Sequence, residues 1–344
     1  MNPTALSLIL SGLGAGSIIT MTSYHWLVAW IGLELNTLAI IPVIAKHHHP
    51  RSTEAATKYF LTQAAASALI LFSSTMNAWH SGQWDITQLT YQPACITITM
   101  ALAMKLGLAP LHFWLPEVLQ GASMMTAMLI TTWQKLAPMA LIFMTSNHLS
   151  TMTLLTLGLA STMIGGWGGL NQTQLRKLMA FSSIANLGWM ATISTIAPNI
   201  MLLNLAIYIT MTMPVFIALI FSSSKTIKDL GNSWTTSMTS TTLMMLAIMS
   251  LGGLPPLTGF MPKWLILQEM INQHLAPMAT AIAISALLSL FFYMRMTYTM
   301  TLTLPPNSIN SKYNWRFKPT MKTTLISTTL MLALCLLPST HLMT

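Results

Sequence analysis

Charge is what this sequence has least of: charged residues fill 6% of its 344 positions, and only six are acidic. A soluble domain carries about 25% charged residues, so this chain cannot cover a core with a polar surface of its own. With 53% hydrophobic residues and a mean hydropathy of +0.63, its solvent is lipid. Cysteine is nearly as scarce. Cys95 and Cys335 fall short of the four thiolates of a typical iron–sulfur cluster or thiolate zinc site, and both lie in apolar stretches, where they read as packing residues. A basic leader and an Arg-rich amphipathic presequence are also lacking. Met1-Asn2-Pro3-Thr4 runs straight into the first apolar stretch, which is therefore expected to be a retained span. No nucleophile elbow, Walker loop or pair of haem ligands stands out, so this chain by itself is expected to carry no redox chemistry.

What the sequence does contain is a series of apolar runs. A spanning helix takes about 20 residues. Polar residues, Pro and Gly delimit eleven candidate spans near 3–22, 24–44, 57–77, 94–121, 123–145, 149–170, 175–197, 199–221, 239–271, 276–302 and 322–340. Asn2 followed by Pro3 suits a helix start, because Asn caps free amides and the fixed φ of Pro fits the first turn. The expected fold is a single all-α polytopic membrane domain over 1–344.

A net charge of +9 would hint at nucleic acid in a soluble chain, but here the cations follow topology. With the N-terminus counted as zero, the second connection carries Lys46, Arg51 and Lys58, and the sixth Arg176 and Lys177. The eighth carries Lys225 and Lys228, and the tenth Lys312, Arg316, Lys318 and Lys322. Odd-numbered connections and the C-terminus carry no Lys or Arg. By the positive-inside rule the N-terminus faces the cytoplasm-like compartment and the C-terminus the opposite one. Four cations remain, Lys105, Lys135, Lys263 and Arg295, and all lie inside spans. There a charge costs about 2.5–3.5 kcal/mol on insertion scales and faces a partner or a hydrated cavity.

Two spans are too long and too interrupted to be simple helices. The fourth reads Lys105-Leu106-Gly107-Leu108-Ala109-Pro110-Leu111-His112-Phe113-Trp114-Leu115-Pro116-Glu117. The ninth reads Leu251-Gly252-Gly253-Leu254-Pro255-Pro256-Leu257-Thr258-Gly259-Phe260-Met261-Pro262-Lys263. Interior Pro removes a backbone donor and clashes with the preceding turn, so both spans are expected to be discontinuous and to line a cavity. They lie five positions apart in the series, an odd offset that makes them cross in opposite directions, so spans one to five (3–145) and six to ten (149–302) read as inverted repeats with a C-terminal helix (322–340) outside. Such paired interruptions mark an ion or substrate pathway near the midplane.

Glu34 sits near the middle of the second span and needs a cation to hold its charge; Lys105 is the first choice of partner. That pair is either part of a pathway or a static packing contact. Lysine suits a relay because burial brings ammonium ionisation toward neutrality, which arginine resists. Lys105, Lys135 and Lys263 are thus relay candidates, while Arg295 takes a fixed-charge or snorkelling role. His112, inside the first break, either bridges protons or donates to an unpaired carbonyl. Glu117 and Glu269, near span ends, read as solvated or snorkelling rather than as part of the central route. The run His47-His48-His49 lacks converging ligand spacing, so no metal is expected. Gly12-Leu13-Gly14-Ala15-Gly16 mimics a dinucleotide fingerprint but sits in an apolar helix, so Gly12 and Gly16 read as a packing face, as do Gly165, Gly166, Gly168 and Gly169.

Glu34 within Trp30-Ile31-Gly32-Leu33-Glu34-Leu35-Asn36, the two broken spans, Lys135, and Leu111-His112-Phe113-Trp114-Leu115-Pro116-Glu117-Val118 together resemble the antiporter-like membrane subunits of respiratory complex I, the NADH:ubiquinone oxidoreductase. Thirty Met and abundant Thr resemble proteins translated from vertebrate mitochondrial DNA. The resemblance covers essentially the whole chain. It implies proton translocation across the mitochondrial inner membrane, coupled to electron transfer in other chains that hold NADH, FMN, iron–sulfur clusters and ubiquinone. It places the N-terminus in the matrix and the C-terminus in the intermembrane space, with core and accessory complex I subunits, cardiolipin and other phospholipids as partners, and no nucleic acid. It also assigns Glu34 and Lys105 as an ion pair that modulates loading, Lys135 as the connecting lysine and Lys263 as the exit-side relay. Some sister subunits carry a glutamate at that last position. Relatives elsewhere begin with three further helices, which this chain lacks by the count above. Two other functions are weighed against this one: a free-standing cation/proton antiporter and a structural scaffold.

Overall fold

A computed structural model describes residues 2–235, 237–301 and 324–335. Among them the helices are α1 Pro3–Thr22, α2 Trp26–Ile44, α3 Pro50–Ser81, α4 Gln92–Leu106, α5 Trp114–Gly121, α6 Met124–Thr131, α7 Leu136–Thr145 and α8 Thr151–Gly169. They continue as α9 Leu175–Ile193, α10 Pro198–Phe221, the short α11 Ile227–Gly231, α12 Met238–Gly252, α13 Phe260–Asn272, α14 Ala276–Thr301 and α15 Thr324–Cys335. No β-strand occurs among the described residues, and six helical stretches, the one from Met124 to Thr145 counted as a whole, are long and apolar enough to cross a membrane. Large apolar side chains such as Leu61, Phe72 and Leu287 stand exposed, as a lipid-facing surface requires.

Local chemistry sets the helix ends. Pro3 and Pro50 occupy first-turn positions, and Ser123 accepts from the Thr126 amide to start α6. At α3 the His49 ring accepts from the Arg51 amide while the Ser52 hydroxyl accepts from the His49 amide. This cap starts α3 at Pro50, seven residues before the hydropathy boundary at 57, and puts Lys58 within the helix rather than in a connection.

Both expected breaks are present. Helix α4 ends at Gly107 (φ 80°) and the chain resumes as α5 at Trp114. Helix α12 ends at Gly253 (φ 79°) and resumes as α13 at Phe260. Only glycine takes this left-handed backbone without a steric penalty. Aligned on these glycines, the two loops share a pattern: Leu108 falls on Leu254, Pro110 on Pro256, Leu111 on Leu257, Pro116 on Pro262 and Glu117 on Lys263.

The fifth span, expected to be continuous, is also interrupted. A 3₁₀ turn at Trp133–Lys135 separates α6 from α7. Pro138 accounts for it, since it donates nothing to the Gln134 carbonyl one turn earlier and its ring crowds that carbonyl.

The described residues divide into two compact units, one within Met1–Ser161 and Met190–Pro198, the other within Thr162–Trp189 and Asn199–Thr344. In the first, α1 and α2 cross at Gly16 and Gly32. A Cβ on Gly16 would lie 2.8 Å from the Gly32 carbonyl, and one on Gly32 2.9 Å from that of Gly16. Gly12 has only an ordinary contact, with Ala39, so the packing face centres on Gly16. The first and third connections pair there through a bridge between His25 and Asp85. In the second unit the sixth and eighth connections pair through Gln174 and Thr226. Gly165 and Gly169 pack tightly there against Ala185 and Phe292, in keeping with their reading as packing residues. The tenth-connection cations Lys312, Arg316, Lys318 and Lys322 lie outside the described residues.

Candidate functional site

In the first unit the site is built around the end of α4. Lys105 occupies the last helical turn, where a cation complements the carbonyl end of the helix. It is 6% exposed and its Nζ has no hydrogen-bond partner, although its backbone carbonyl accepts from Gln63 Nε2 at 3.4 Å. Across the break, the Trp114 indole donates to the Met104 carbonyl at 3.1 Å and ties the two legs together. Lys135 is 3% exposed and sits in the 3₁₀ turn. Lys105 and Lys135 line one cavity of about 20 Å³, together with Asn36, Tyr59 and Gln63. A water needs about 10–15 Å³ and two to four polar partners, so this space accepts one.

Glu34 does not close the expected ion pair. It is half-buried with one buried, unpartnered carboxylate oxygen. No Glu34–Lys105 contact lies within 4.0 Å among the described residues. Sequence spacing puts the two charges in one unit but does not fix their separation. His112 lies in the break, buried, with its ring 4.4 Å from that of Phe113; it is not on the wall of the Lys105–Lys135 cavity. Glu117 is exposed and pairs with Lys58, which also holds Glu54.

In the second unit Lys263 lies in the first turn of α13 and reaches back over the break to donate to the Gly252 carbonyl at 2.8 Å. On one side it borders a cavity of about 20 Å³ whose mixed walls include Asn186, Asn204 and Tyr208. On the other it borders a larger, mostly apolar cavity of about 510 Å³ that opens toward the exposed Trp264 and Leu287. Arg295 donates to the Leu170 and Gln172 carbonyls just beyond α8. Its charge is thus fixed in place rather than snorkelling outward. Glu269 is half-buried. Among the described residues no group of three His, Cys, Asp or Glu could hold a metal ion, and His49 serves as a helix cap.

The site also includes uncharged polar residues: Asn36, Gln63 and Gln134 in the first unit, Asn186, Asn204 and Tyr208 in the second. Their signal was in the sequence, since an amide inside an apolar span is costly unless it meets a polar partner.

Buried lysines beside broken membrane helices define an antiporter-like membrane protein. The family model described as "NADH:quinone oxidoreductase/Mrp antiporter, TM" matches residues 23–289, and "NADH dehydrogenase subunit 2 C-terminus" matches 290–344. Curated relatives include NADH-ubiquinone oxidoreductase chain 2 of Xenopus laevis, 55% identical over 98% of both chains. Another is that of Varanus melinus, 56% identical over 100% of both. The chain belongs to the NADH-ubiquinone oxidoreductase chain 2 family. Among solved structures, a chain of respiratory complex I from Thermus thermophilus with bound Aureothin superposes with a TM-score of 0.87, at 22% identity over 100% of this chain and 80% of that one. A chain of the Mrp complex from Dietzia sp. DQ12-45-1b superposes at 0.81, with 15% identity over 97% and 75%. These two likenesses are of fold.

Proposed function

We propose that this chain is a core membrane subunit of the NADH:ubiquinone oxidoreductase of the mitochondrial inner membrane. There it contributes proton translocation coupled to electron transfer from NADH to ubiquinone. The observation that carries the reading is Lys105 and Lys135 on the wall of one water-sized cavity beside a helix break. Relatives at 53–56% identity over nearly their full length bear the name of that enzyme's chain 2.

In this reading Lys105 is loaded under the field of Glu34, Lys135 connects, and Lys263 is the exit-side relay, with His112 bridging at the first break. The chain crosses the membrane eleven times as two inverted five-helix repeats, about 3–145 and 149–302, with the C-terminal helix at 322–340 outside them. Pairing of odd connections in one unit and of even ones in the other supports this alternation. The N-terminus lies in the matrix and the C-terminus in the intermembrane space. NADH, FMN, iron–sulfur clusters and ubiquinone belong to other subunits. Core and accessory subunits and phospholipids, cardiolipin among them, surround the chain.

Replacing Lys105 with Met tests the reading in the assembled complex. The expected result is normal assembly and a lowered proton-to-electron ratio; an unchanged ratio sinks the relay assignment. Native electrophoresis with an NADH-oxidation stain tests membership: a chain migrating alone, without that activity, would replace this proposal with the free-standing antiporter.

A further inference from the structure

Among the polar groups on the cavity shared by Lys105 and Lys135, one amide is unsatisfied. Asn36 on α2 is 2% exposed, and neither its amide nitrogen nor its amide oxygen has a hydrogen-bond partner. The Lys105 ammonium is likewise buried without one, and both side chains line the same space of about 20 Å³. The position of Asn36 is fixed from two directions. Gln134 Nε2 donates to its backbone carbonyl at 3.2 Å, and Gly16 on α1 approaches so closely that a Cβ there would lie 2.7 Å from Asn36 Oδ1. Gly16 thus makes room for the amide, and the adjacent Gln134 couples it to the turn that carries Lys135.

We infer that Asn36 is a positioning residue for proton transfer between Lys105 and Lys135, orienting one water between them. The inference rests on the relay reading of those two lysines. A water has two lone pairs and two O–H groups, and an amide offers a donor and an acceptor. Asn36 Nδ2–H donates to one lone pair, and one water O–H donates to Oδ1. The second lone pair then faces a Lys105 N–H and the second O–H faces the Lys135 amine. In the transfer a Lys105 N–H bond breaks as a new O–H bond forms, and the water's other proton passes to Lys135 nitrogen. Lys105 ends as the amine, Lys135 as the ammonium, and the water is restored. An uncharged amide serves this purpose because it orients the water without trapping the proton, as a second carboxylate would.

The test uses the assembled complex carrying Asn36→Leu, Asn36→Ser or Lys105→Met, read by proton-to-electron ratio, solvent isotope effect on pumping and amount of complex. Leucine is similar in size without polar atoms, whereas serine restores a donor and an acceptor in less space. Asn36→Leu is expected to assemble and to lower the ratio as far as Lys105→Met does. Asn36→Ser is expected to keep a near-normal ratio with a raised solvent isotope effect. A normal ratio in Asn36→Leu, when Lys105→Met lowers it, overturns the role of Asn36 alone. A normal ratio in Lys105→Met overturns the relay reading and this inference with it. If Asn36→Leu fails to assemble, Asn36→Ser decides: a raised isotope effect supports the assignment, and a wild-type isotope effect overturns it.

Discussion

At the first helix break the cation precedes the left-handed glycine, and at the second it follows. Lys105 sits on the leg before Gly107, where nearby carbonyls are engaged by the helix or by Trp114, so its ammonium faces a water-sized cavity without a fixed acceptor. Lys263 sits on the leg after Gly253 and donates to the carbonyl of Gly252. The residue that matches it in the first loop, Glu117, is outside on Lys58. Similar backbones therefore hold their lysines differently. The first ammonium is held by no carbonyl of its break, whereas the second is tied to one.

The largest expected effects come from removing the lysines. Lys105→Met should lower the proton-to-electron ratio while leaving the complex's thermal stability near wild type. Lys263→Met should lower both, because it leaves the Gly252 carbonyl without its donor, a loss of about 1–3 kcal/mol for a buried acceptor. Equal melting of the two variants would break the contrast. Next come the glycines. Alanine at Gly107 or Gly253 forces a left-handed residue, at about 1–2 kcal/mol. The Cβ at Gly253 also lands 2.8 Å from Lys263 Nζ, whereas at Gly107 the nearest atom is a Leu115 methyl at 3.2 Å. Gly253→Ala should therefore lose pumping out of proportion to stability and Gly107→Ala should not, as paired melting and flux measurements would show. Trp114→Phe removes one hydrogen bond across the first break and should cost about 1 kcal/mol in the melting of the complex. The smallest effect belongs to Lys58→Met, whose partners are half or more exposed. Any loss it causes should vanish in high salt; a large, salt-resistant loss would mean that α5 depends on its outer ion pair.

Most of this architecture could be read from the sequence because lipid imposes it: apolar runs must close their own hydrogen bonds as helices. The breaks were visible in Gly107, Pro110, Gly253 and Pro256. The 3₁₀ turn at Trp133–Lys135 was not expected, although Pro138 announced it, because a lone Pro inside an apolar span is easily taken for a tolerated kink. The start of α3 depends on a His49–Ser52 cap that hydropathy does not register. For the site, rarity made Lys105, Lys135, Lys263 and Glu34 stand out, since each charge in lipid requires a reason. Asn36 and Gln134 are uncharged and did not stand out. The open Glu34–Lys105 gap depends on side-chain reach between α2 and α4, and no spacing along the chain encodes it.

One contact at the second break links it to the end of the chain. The Thr258 hydroxyl, in the loop between α12 and α13, donates to the Ala333 carbonyl at 2.6 Å. Ala333 lies in the last turn of α15, where carbonyls have no helical partner of their own. The C-terminal helix is thereby tied to the same break that Lys263 braces, and a shift of that loop is expected to reach α15. A spin label near residue 333 would then register, far along the sequence, each change of state at the second break.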